Sequence, residues 1–302
     1  MGARFFMAKV AFAKHAATPE QLLAKLQSSG LIVPNTEHAL AYLRYVGGYR
    51  LKGYWFHAVD STSKRFPSGY SFDHIVQRCE CDRELRAASI AAIERLEVAI
   101  RTAMANYLSQ AHGPHWFLDI RIFKPTTRWG MGRFIKKIED EVGRAKGKQF
   151  VGHYLDHYEE PYLPPSWVIS ECVTFGLWSH TYAILRDPND RKAIAMKFGV
   201  AQTEVFESWI HTLTVVRNIA AHHGQLLAVK LGVSPSNYKA KHIKFTHPKS
   251  FFAAATVIHY LLNQTGLPHS WKTDLESIFG KYPGVSIRDL GFSPNWKTST
   301  GW

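Results

Sequence analysis

The sequence predicts an all-α protein from three observations. Apolar residues recur at steps of three and four, capping residues precede these segments, and glycines follow them. The clearest case runs from Asp82 to about Gln110, where a single apolar stripe predicts the longest helix. The segment His112-Gly113-Pro114-His115 is expected to end it, because glycine and proline interrupt helical backbone. The stripe consists of Leu85, Ile93, Leu96, Ile100, Met104 and Leu108.

The remaining helices are predicted in chain order from the same signals. Gly30 ends a helix over 19–29, and a second helix starts at Asn35 or Thr36 and ends at Gly47-Gly48. Further helices are expected after Ser71, over 168–185, over 203–224, over 251–263 and within 271–302, with a turn at Asp187-Pro188-Asn189-Asp190. The predicted organisation is a basic N-terminal arm (1–18), a helical domain (19–230) and a C-terminal helical extension packed on it (231–302).

The charge balance favours a polyanionic partner. The chain has 37 Lys and Arg against 24 Asp and Glu, a formal net charge of +13. Cations that neutralise phosphates release condensed counterions, so nucleic acid is the leading partner class and an anionic membrane surface the second. The densest basic stretch, 121–150, supplies the candidate RNA-binding residues Lys124, Arg128, Arg133, Lys136, Lys137, Arg144, Lys146 and Lys148.

A second candidate RNA contact lies in the segment 49–56, where basic and aromatic residues alternate. In one interpretation Arg50 and Lys52 bind phosphates while the aromatic rings stack on bases. In the other, the segment is a hairpin or turn in the core whose cationic heads reach solvent. The core interpretation is favoured, and both cations are kept as candidates.

Cysteine usage and hydropathy favour a cytoplasmic protein. Cys79, Cys81 and Cys172 make no disulfide framework and are expected to be reduced, buried thiols. No apolar run reaches the about 18 residues of a membrane span, so no membrane contact is predicted. The first 19 residues contain no acid. They have the composition of a transit peptide, of an arm that touches RNA, or of a mobile tail.

The helix predicted from Thr203 is apolar on two sides. On a helical wheel one side carries a core stripe of Phe206, Trp209, Leu213, Val216 and Ala220. The opposite side carries Val215 and Ile219, flanked by Asn218 and His222, which are four residues apart and share a face. The second apolar side is expected to meet another copy of this helix, which predicts a homodimer.

Arg217, Asn218 and His222 together suit RNA cleavage without a metal or cofactor. A histidine can move the proton of the attacking 2′-hydroxyl or of the leaving oxygen, and an arginine can stabilise the charged transition state. In the alternative, His222 and His223 complement the helix dipole and Arg217 pairs with an acid. Glu97 and Arg101 are one turn apart on the long helix and are expected to pair.

A metal site is not predicted. His153 and His157 have the spacing of a ligand pair, but no further ligands accompany them, so a solvated helix face is favoured.

Four ordered segments resemble the Abi family of bacterial abortive-infection proteins, which includes AbiD and AbiF. The resemblance covers about residues 20 to 230, with a further match around Trp296. The segments that carry it are Ala39 to Trp55, Asp82 to Arg86 with Glu94 to Thr102, Leu163 to Trp167 with Thr174-Phe175-Gly176, and Arg217-Asn218 with Ala221-His222-His223. One departure is Gly224-Gln225-Leu226-Leu227, where the family usually has Arg-Leu-Trp-Asn.

This resemblance implies a HEPN-like helical bundle with additional N- and C-terminal helices. HEPN domains dimerise around an R-x4-6-H motif, which Arg217 to His222 matches. The implied activity is an endoribonuclease toxin that leaves a 2′,3′-cyclic phosphate and is held in check by a small non-coding RNA. Arg217 and His222 would be catalytic, with Asn218 orienting and with His223, Glu97 and Arg101 supporting. The alternative is an inactive protein that holds a structured small RNA on the same surface.

Overall fold

The computed structural model describes residues 11–13, 15–125 and 130–302. Throughout these ranges the backbone is helical or irregular and forms isolated bridges but no β-strand, which confirms the all-α prediction. Most of the predicted N-terminal arm and the candidate RNA contact Arg128 lie outside the described residues.

The helices follow most of the predicted boundaries, and a π-helical turn over Leu43–Gly47 precedes the third. They are α1 Pro19–Ser28, α2 Thr36–Tyr42, α3 Gly48–Trp55, α4 Phe72–His112, α5 Met131–Arg144, α6 Gln149–His157, α7 Ser166–Ile169, α8 Phe175–Ile184, α9 Pro188–Met196, α10 Thr203–Ala221, α11 Phe251–Thr265 and α12 Trp271–Lys281. The chain forms two compact units, Met1–Cys79 and Glu80–Trp302.

In the first unit, residues 49–55 lie in the helix α3, so the predicted hairpin or turn is wrong. Leu51, Tyr54 and Trp55 are buried at the i, i+3 and i+4 spacing of one helix face. The basic and aromatic residues alternate in sequence, but on a helix this pattern places the basic side chains and the remaining aromatic rings on the outer faces of α3. Asn35 caps α2 by accepting a hydrogen bond from the His38 amide.

The long helix α4 begins at Phe72, ten residues before the predicted start at Asp82. No glycine or proline stands between these two positions, so nothing interrupts the helix. Asp82 does not cap the helix, because its carboxylate is fully buried and accepts hydrogen bonds from the Leu226 and Leu227 amides. The end of α4 at His112 agrees with the predicted break.

In the second unit, α10 packs against α8, α9 and α11. The helix predicted over 168–185 is divided into α7 and α8, because residues 170–174 leave helical geometry between them. The predicted turn at 187–190 is instead the start of α9, where the Asp187 side chain caps the helix by accepting from the Asn189 amide.

The C-terminal part of the second unit contributes a large share of its core. Almost every side chain of α11 between Phe251 and Leu262 is buried, and Trp271 of α12 donates its indole N–H to the Ala255 carbonyl. All three cysteines are free thiols, and Cys172 is only partly buried. None of the helices in the described ranges is long and apolar enough to cross a membrane.

Candidate functional site

The core stripe of α10 holds the motif helix in place. Phe206, Trp209, Leu213, Val216 and Ala220 are all buried, as the helical wheel predicts. The Trp209 indole also donates a hydrogen bond of 2.9 Å to the Ser236 carbonyl. The face that carries the motif is therefore fixed relative to the core by a continuous buried stripe.

The motif lies at the C-terminal end of α10. The helix ends at Ala221 rather than at the predicted Gly224, because His223 adopts a left-handed conformation with φ 59°. The Gly224 amide donates to the Ile219 carbonyl at 2.7 Å and the His223 amide to the Ala220 carbonyl at 3.1 Å. This is the Schellman arrangement, in which glycine usually occupies the position that His223 holds here.

Asn218 and His222 are exposed at this helix end, and Arg217 is 42% exposed. The Arg217 guanidinium donates a hydrogen bond of 3.5 Å to the Asn218 side-chain oxygen. Gly224 turns the chain closely past Ile219, because a β-carbon at that glycine would lie 2.9 Å from Cγ2 of Ile219. The turn leaves the three motif side chains accessible to a ligand from solvent.

Glu97 of α4 binds two arginines. Its Oε2 lies 3.5 Å from Nε of Arg217, and its Oε1 accepts a hydrogen bond from Arg101. Only 8% of Glu97 is exposed, whereas Arg217 remains partly open to solvent. Arg101 in turn donates to the Ser170 carbonyl at 3.4 Å. The predicted pair of Glu97 and Arg101 is thus present, and the structure brings it to the motif arginine.

Asp82 is a residue of this region whose role the sequence did not reveal. Its Oδ1 accepts from the amides of Leu226 and Leu227 at 2.9 and 2.8 Å, and its Oδ2 binds Arg86. The carboxylate thereby ties the segment after the motif to α4. Its spacing of four and seven from Arg86 and Ser89, which are also buried, continues the buried face of α4 and is the signal that could have identified it.

Lys148, at the end of the basic stretch, lies beside Arg101 of the Glu97 cluster, by which we mean Glu97, Arg101 and Arg217. Lys148 donates to the Glu171 carbonyl at 3.3 Å, next to the Ser170 carbonyl that Arg101 binds. Burial raises the pKa of the Cys172 thiol, while the positive charges of Lys148 and Arg101 act in the opposite direction. Lys148 and Arg101 therefore bind the carbonyls of two consecutive residues, Glu171 and Ser170.

The remaining candidates of the basic stretch are mostly exposed but partly neutralised. On α5, Lys136 pairs with Asp140 at 3.1 Å and Arg144 with Glu141 at 2.8 Å. The helix carries four basic and three acidic residues, a net charge of +1. Lys124 is partly buried and donates to the Ala183 carbonyl at 3.3 Å, and burial lowers its pKa. Arg133, Lys137 and Lys146 are exposed.

The first unit presents a separate surface of aromatic and basic side chains. Tyr45 is 89% exposed, Tyr49 94% and Phe56 68%. Lys52 is exposed and lies 5.5 Å from the centre of the Phe56 ring, and Arg50 is half-buried. The favoured core interpretation holds for three residues of α3, while these rings and Lys52 face solvent. We call Tyr45, Tyr49, Lys52 and Phe56 the aromatic surface; Tyr45 lies outside the segment 49–56 that the sequence indicates as a candidate RNA contact.

The second apolar side of α10 is only partly covered within the chain. Val215 and Ile219 are half-buried, in contrast to the fully buried stripe on the other side. Of the supporting residues, Glu97 contacts Arg217 directly and Arg101 is linked to it through Glu97, while His223 is exposed at the turn. His153 and His157 are both exposed, as expected for a solvated face.

Comparison with known protein families gives a match that covers most of the residues described above. The profile of the Abi-like protein family matches residues 41–228. The matched range contains α10 with Arg217 and His222, the Glu97 cluster and the aromatic surface. Searches among curated proteins and among solved structures found no significant match.

Proposed function

Because the chain belongs to the Abi-like protein family, we propose that it is a metal-independent endoribonuclease of an abortive-infection system. Membership of the family supports a role in defence against phage. The observation that carries the proposed activity is the motif itself: Arg217 is anchored by the buried Glu97 and stays 42% exposed beside the exposed Asn218 and His222.

The proposed reaction needs one proton acceptor, one proton donor and one stabilising cation. The 2′-oxygen of the substrate forms a bond to the adjacent phosphorus as its proton passes to a base, and the bond from phosphorus to the 5′-oxygen breaks as that oxygen gains a proton. His222 serves as the proton-transfer group. Arg217 stabilises the charge on the phosphorus centre, and Asn218 orients the substrate. The product carries a 2′,3′-cyclic phosphate.

We also propose that two chains form the active site together. Each helix α10 carries one His222, and the half-buried Val215 and Ile219 offer an apolar face next to it. A dimer through this face would bring two copies of the motif together, so that one histidine accepts and the other donates a proton. Lys148, beside Arg101, supports binding of the RNA backbone near the motif. In this proposal a cognate small non-coding RNA restrains the toxin.

A second candidate function is RNA binding without cleavage. The aromatic surface favours it, because exposed rings flanked by cations stack on bases and require no reactive group. The pairing of Arg217 with Glu97 fits a structural role for that arginine. In this case the protein would hold a structured small RNA and the motif would be inactive.

Cleavage of cellular RNA in the presence of EDTA distinguishes the two functions. The active-site proposal requires that wild-type protein yields fragments with 2′,3′-cyclic phosphate ends and that His222→Ala does not. His153→Ala is the control, since His153 is an exposed histidine on a different helix, α6. Retained RNA binding without any cleavage by the wild type would favour the binding function instead.

A further inference from the structure

The C-terminal part of the second unit contains a groove that the functions above do not use. Its volume is about 790 Å³, and it lies beyond the family match, which ends at residue 228. One wall is the loop over 242–247, the second is the start of α11, and the third is the segment over 288–300.

The groove is cationic. Lys244, Arg288, His242 and His247 line it, and none of its lining residues is an aspartate or glutamate. The four side chains are exposed, so their donors can reach a bound ligand. The chain around the 242–247 loop has the same bias, because no acidic residue occurs between Glu207 and Asp274. The wall over 288–300 contains one acid, Asp289, which does not line the groove. An anion is the ligand that such a wall attracts.

The walls of the groove are held in place by the core. Tyr238 and Ile243 exchange backbone hydrogen bonds of 2.9 and 3.1 Å, which close the turn that leads into the loop over 242–247. Within that loop, the Phe245 amide donates to the Asn237 side-chain oxygen at 2.8 Å. The Tyr238 hydroxyl accepts from the Ala201 amide, and its ring packs edge-on against Trp209 of α10. His242 is held at φ 55°, a conformation that non-glycine residues rarely adopt. The loop is therefore shaped before any ligand arrives, which lowers the entropic cost of binding.

The groove also has hydroxyl groups and an apolar side. Thr246, Ser299 and Thr300 add hydrogen-bonding groups to the cations, while Phe252 and Pro294 provide apolar surface. Phe252 is half-buried and stacks at 6.1 Å on the ring of Trp302, which keeps it in position. A volume of about 790 Å³ lies within the range of about 300–1,000 Å³ that small-molecule sites occupy.

We propose that this groove binds a nucleotide, with its phosphates at Lys244 and Arg288 and its base against Phe252. Arginine and lysine bind phosphate oxygens through charge-assisted hydrogen bonds, and a base supplies the flat apolar surface that Phe252 can contact. The site is separate from Arg217 and His222, so it goes beyond the proposed cleavage. The nucleotide could be free or part of an RNA strand.

Calorimetric titration of the full chain tests the assignment. The protein carries His222→Ala so that RNA probes stay intact, and the probes are ATP, adenosine, inorganic triphosphate and a short single-stranded RNA. The double variant Lys244→Ala with Arg288→Ala is expected to weaken ATP binding by about tenfold or more. The matched control is Lys239→Ala with Lys241→Ala, which removes two charges from the turn just before this loop, at residues that do not line the groove.

The outcomes distinguish a free nucleotide from a nucleotide within an RNA strand. If ATP and the RNA compete and both lose affinity in the groove variant, the ligand is a nucleotide of an RNA strand. If ATP binding is lost while RNA binding is kept, the ligand is a free nucleotide. Equal losses in the groove variant and the control overturn the proposal, as does inorganic triphosphate binding as tightly as ATP. The titrated protein lacks His222 and is not assayed for cleavage. A failure to bind nucleotide would therefore not contradict the proposed nuclease activity.

Discussion

The carboxylate of Glu97 lies 3.5 Å from Nε of Arg217 and binds Arg101 through its other oxygen. The two arginines come from different helices, α10 and α4, so the buried acid links the motif helix to the long helix. Without Glu97, two guanidinium groups would face each other with no intervening negative charge. We therefore infer that Glu97 is a positioning residue for Arg217.

Glu97→Gln is expected to slow RNA cleavage by about ten- to hundredfold, because a displaced Arg217 no longer meets the transition state. The fall should appear in kcat, with KM little changed. The lost ion pairs should also lower the free energy of unfolding by about 2 kcal/mol, so the assay needs a temperature at which the variant is folded. Glu94→Gln is the control, because Glu94 is exposed one turn away on α4. Equal cleavage by both variants would remove the positioning role.

Replacing His223 tests the strain at the end of the motif helix. Both His223→Gly and His223→Ala delete the imidazole, but only glycine adopts φ near 59° without a steric cost. The glycine variant is expected to be more stable than the alanine variant by about 1 kcal/mol, measured by urea unfolding. His222→Gly compared with His222→Ala should show no such gain, since His222 has φ −92°. Equal stability of the two His223 variants would show that the turn is not strained.

The contrast between Asp82 and α10 shows where sequence reasoning succeeds. The buried stripe of α10 follows from local periodicity, so the motif face could be predicted from residues within one helix. The sequence predicts only that the long helix starts at Asp82, yet the partners of Asp82, Leu226 and Leu227, are 144 and 145 residues away. No local pattern reports such a contact.

Local sequence patterns also miss two other features: the break between two helices and the pairing of charges within the basic stretch. The break between α7 and α8, at residues 170–174, contains no glycine or proline, so the usual helix-breaking residues do not mark it. A count of lysines and arginines over 121–150 also overstated the free charge, because Lys136 and Arg144 pair with acids of the same helix. Lys148 differs from these two residues because it contacts the Glu171 carbonyl, and the sequence does not predict this contact.

Lys146 and Lys148 are expected to contribute more to RNA binding than Lys136 and Arg144. Removing Lys146 and Lys148 together should reduce the slope of log affinity against log salt by about 0.7 for each lost phosphate contact on a single strand. The double variant of Lys136 and Arg144 removes the same formal charge, but those cations already have acidic partners. Filter binding at several salt concentrations measures both slopes, and a larger change in the second variant would place the RNA on α5.

Ile219→Asp is expected to produce a monomer if α10 forms the dimer face. A carboxylate in an apolar interface has no partner and would oppose association. Light scattering with size-exclusion chromatography measures the mass, and Val215→Asp is a second test on the same face. Ile120→Asp is the control, since Ile120 is 63% exposed and lies outside the motif helix. A wild-type protein that is already monomeric at micromolar concentration would contradict the composite site.

His259 is expected to make the fold less stable in mild acid. Burial, together with the charges of His269 and Lys272, lowers its pKa from 6.5 to about 4. The unfolded chain therefore binds a proton that the folded chain does not between these values, so stability is complete above pH 6.5 and falls toward pH 4 by about 3 kcal/mol. His259→Phe keeps a ring to stack on Trp302, which lies 4.7 Å away, and removes the titration. Urea unfolding at pH 7.5 and pH 4.5 should show a smaller difference in this variant than in the wild type, and equal differences would mean that other groups cause the acid sensitivity.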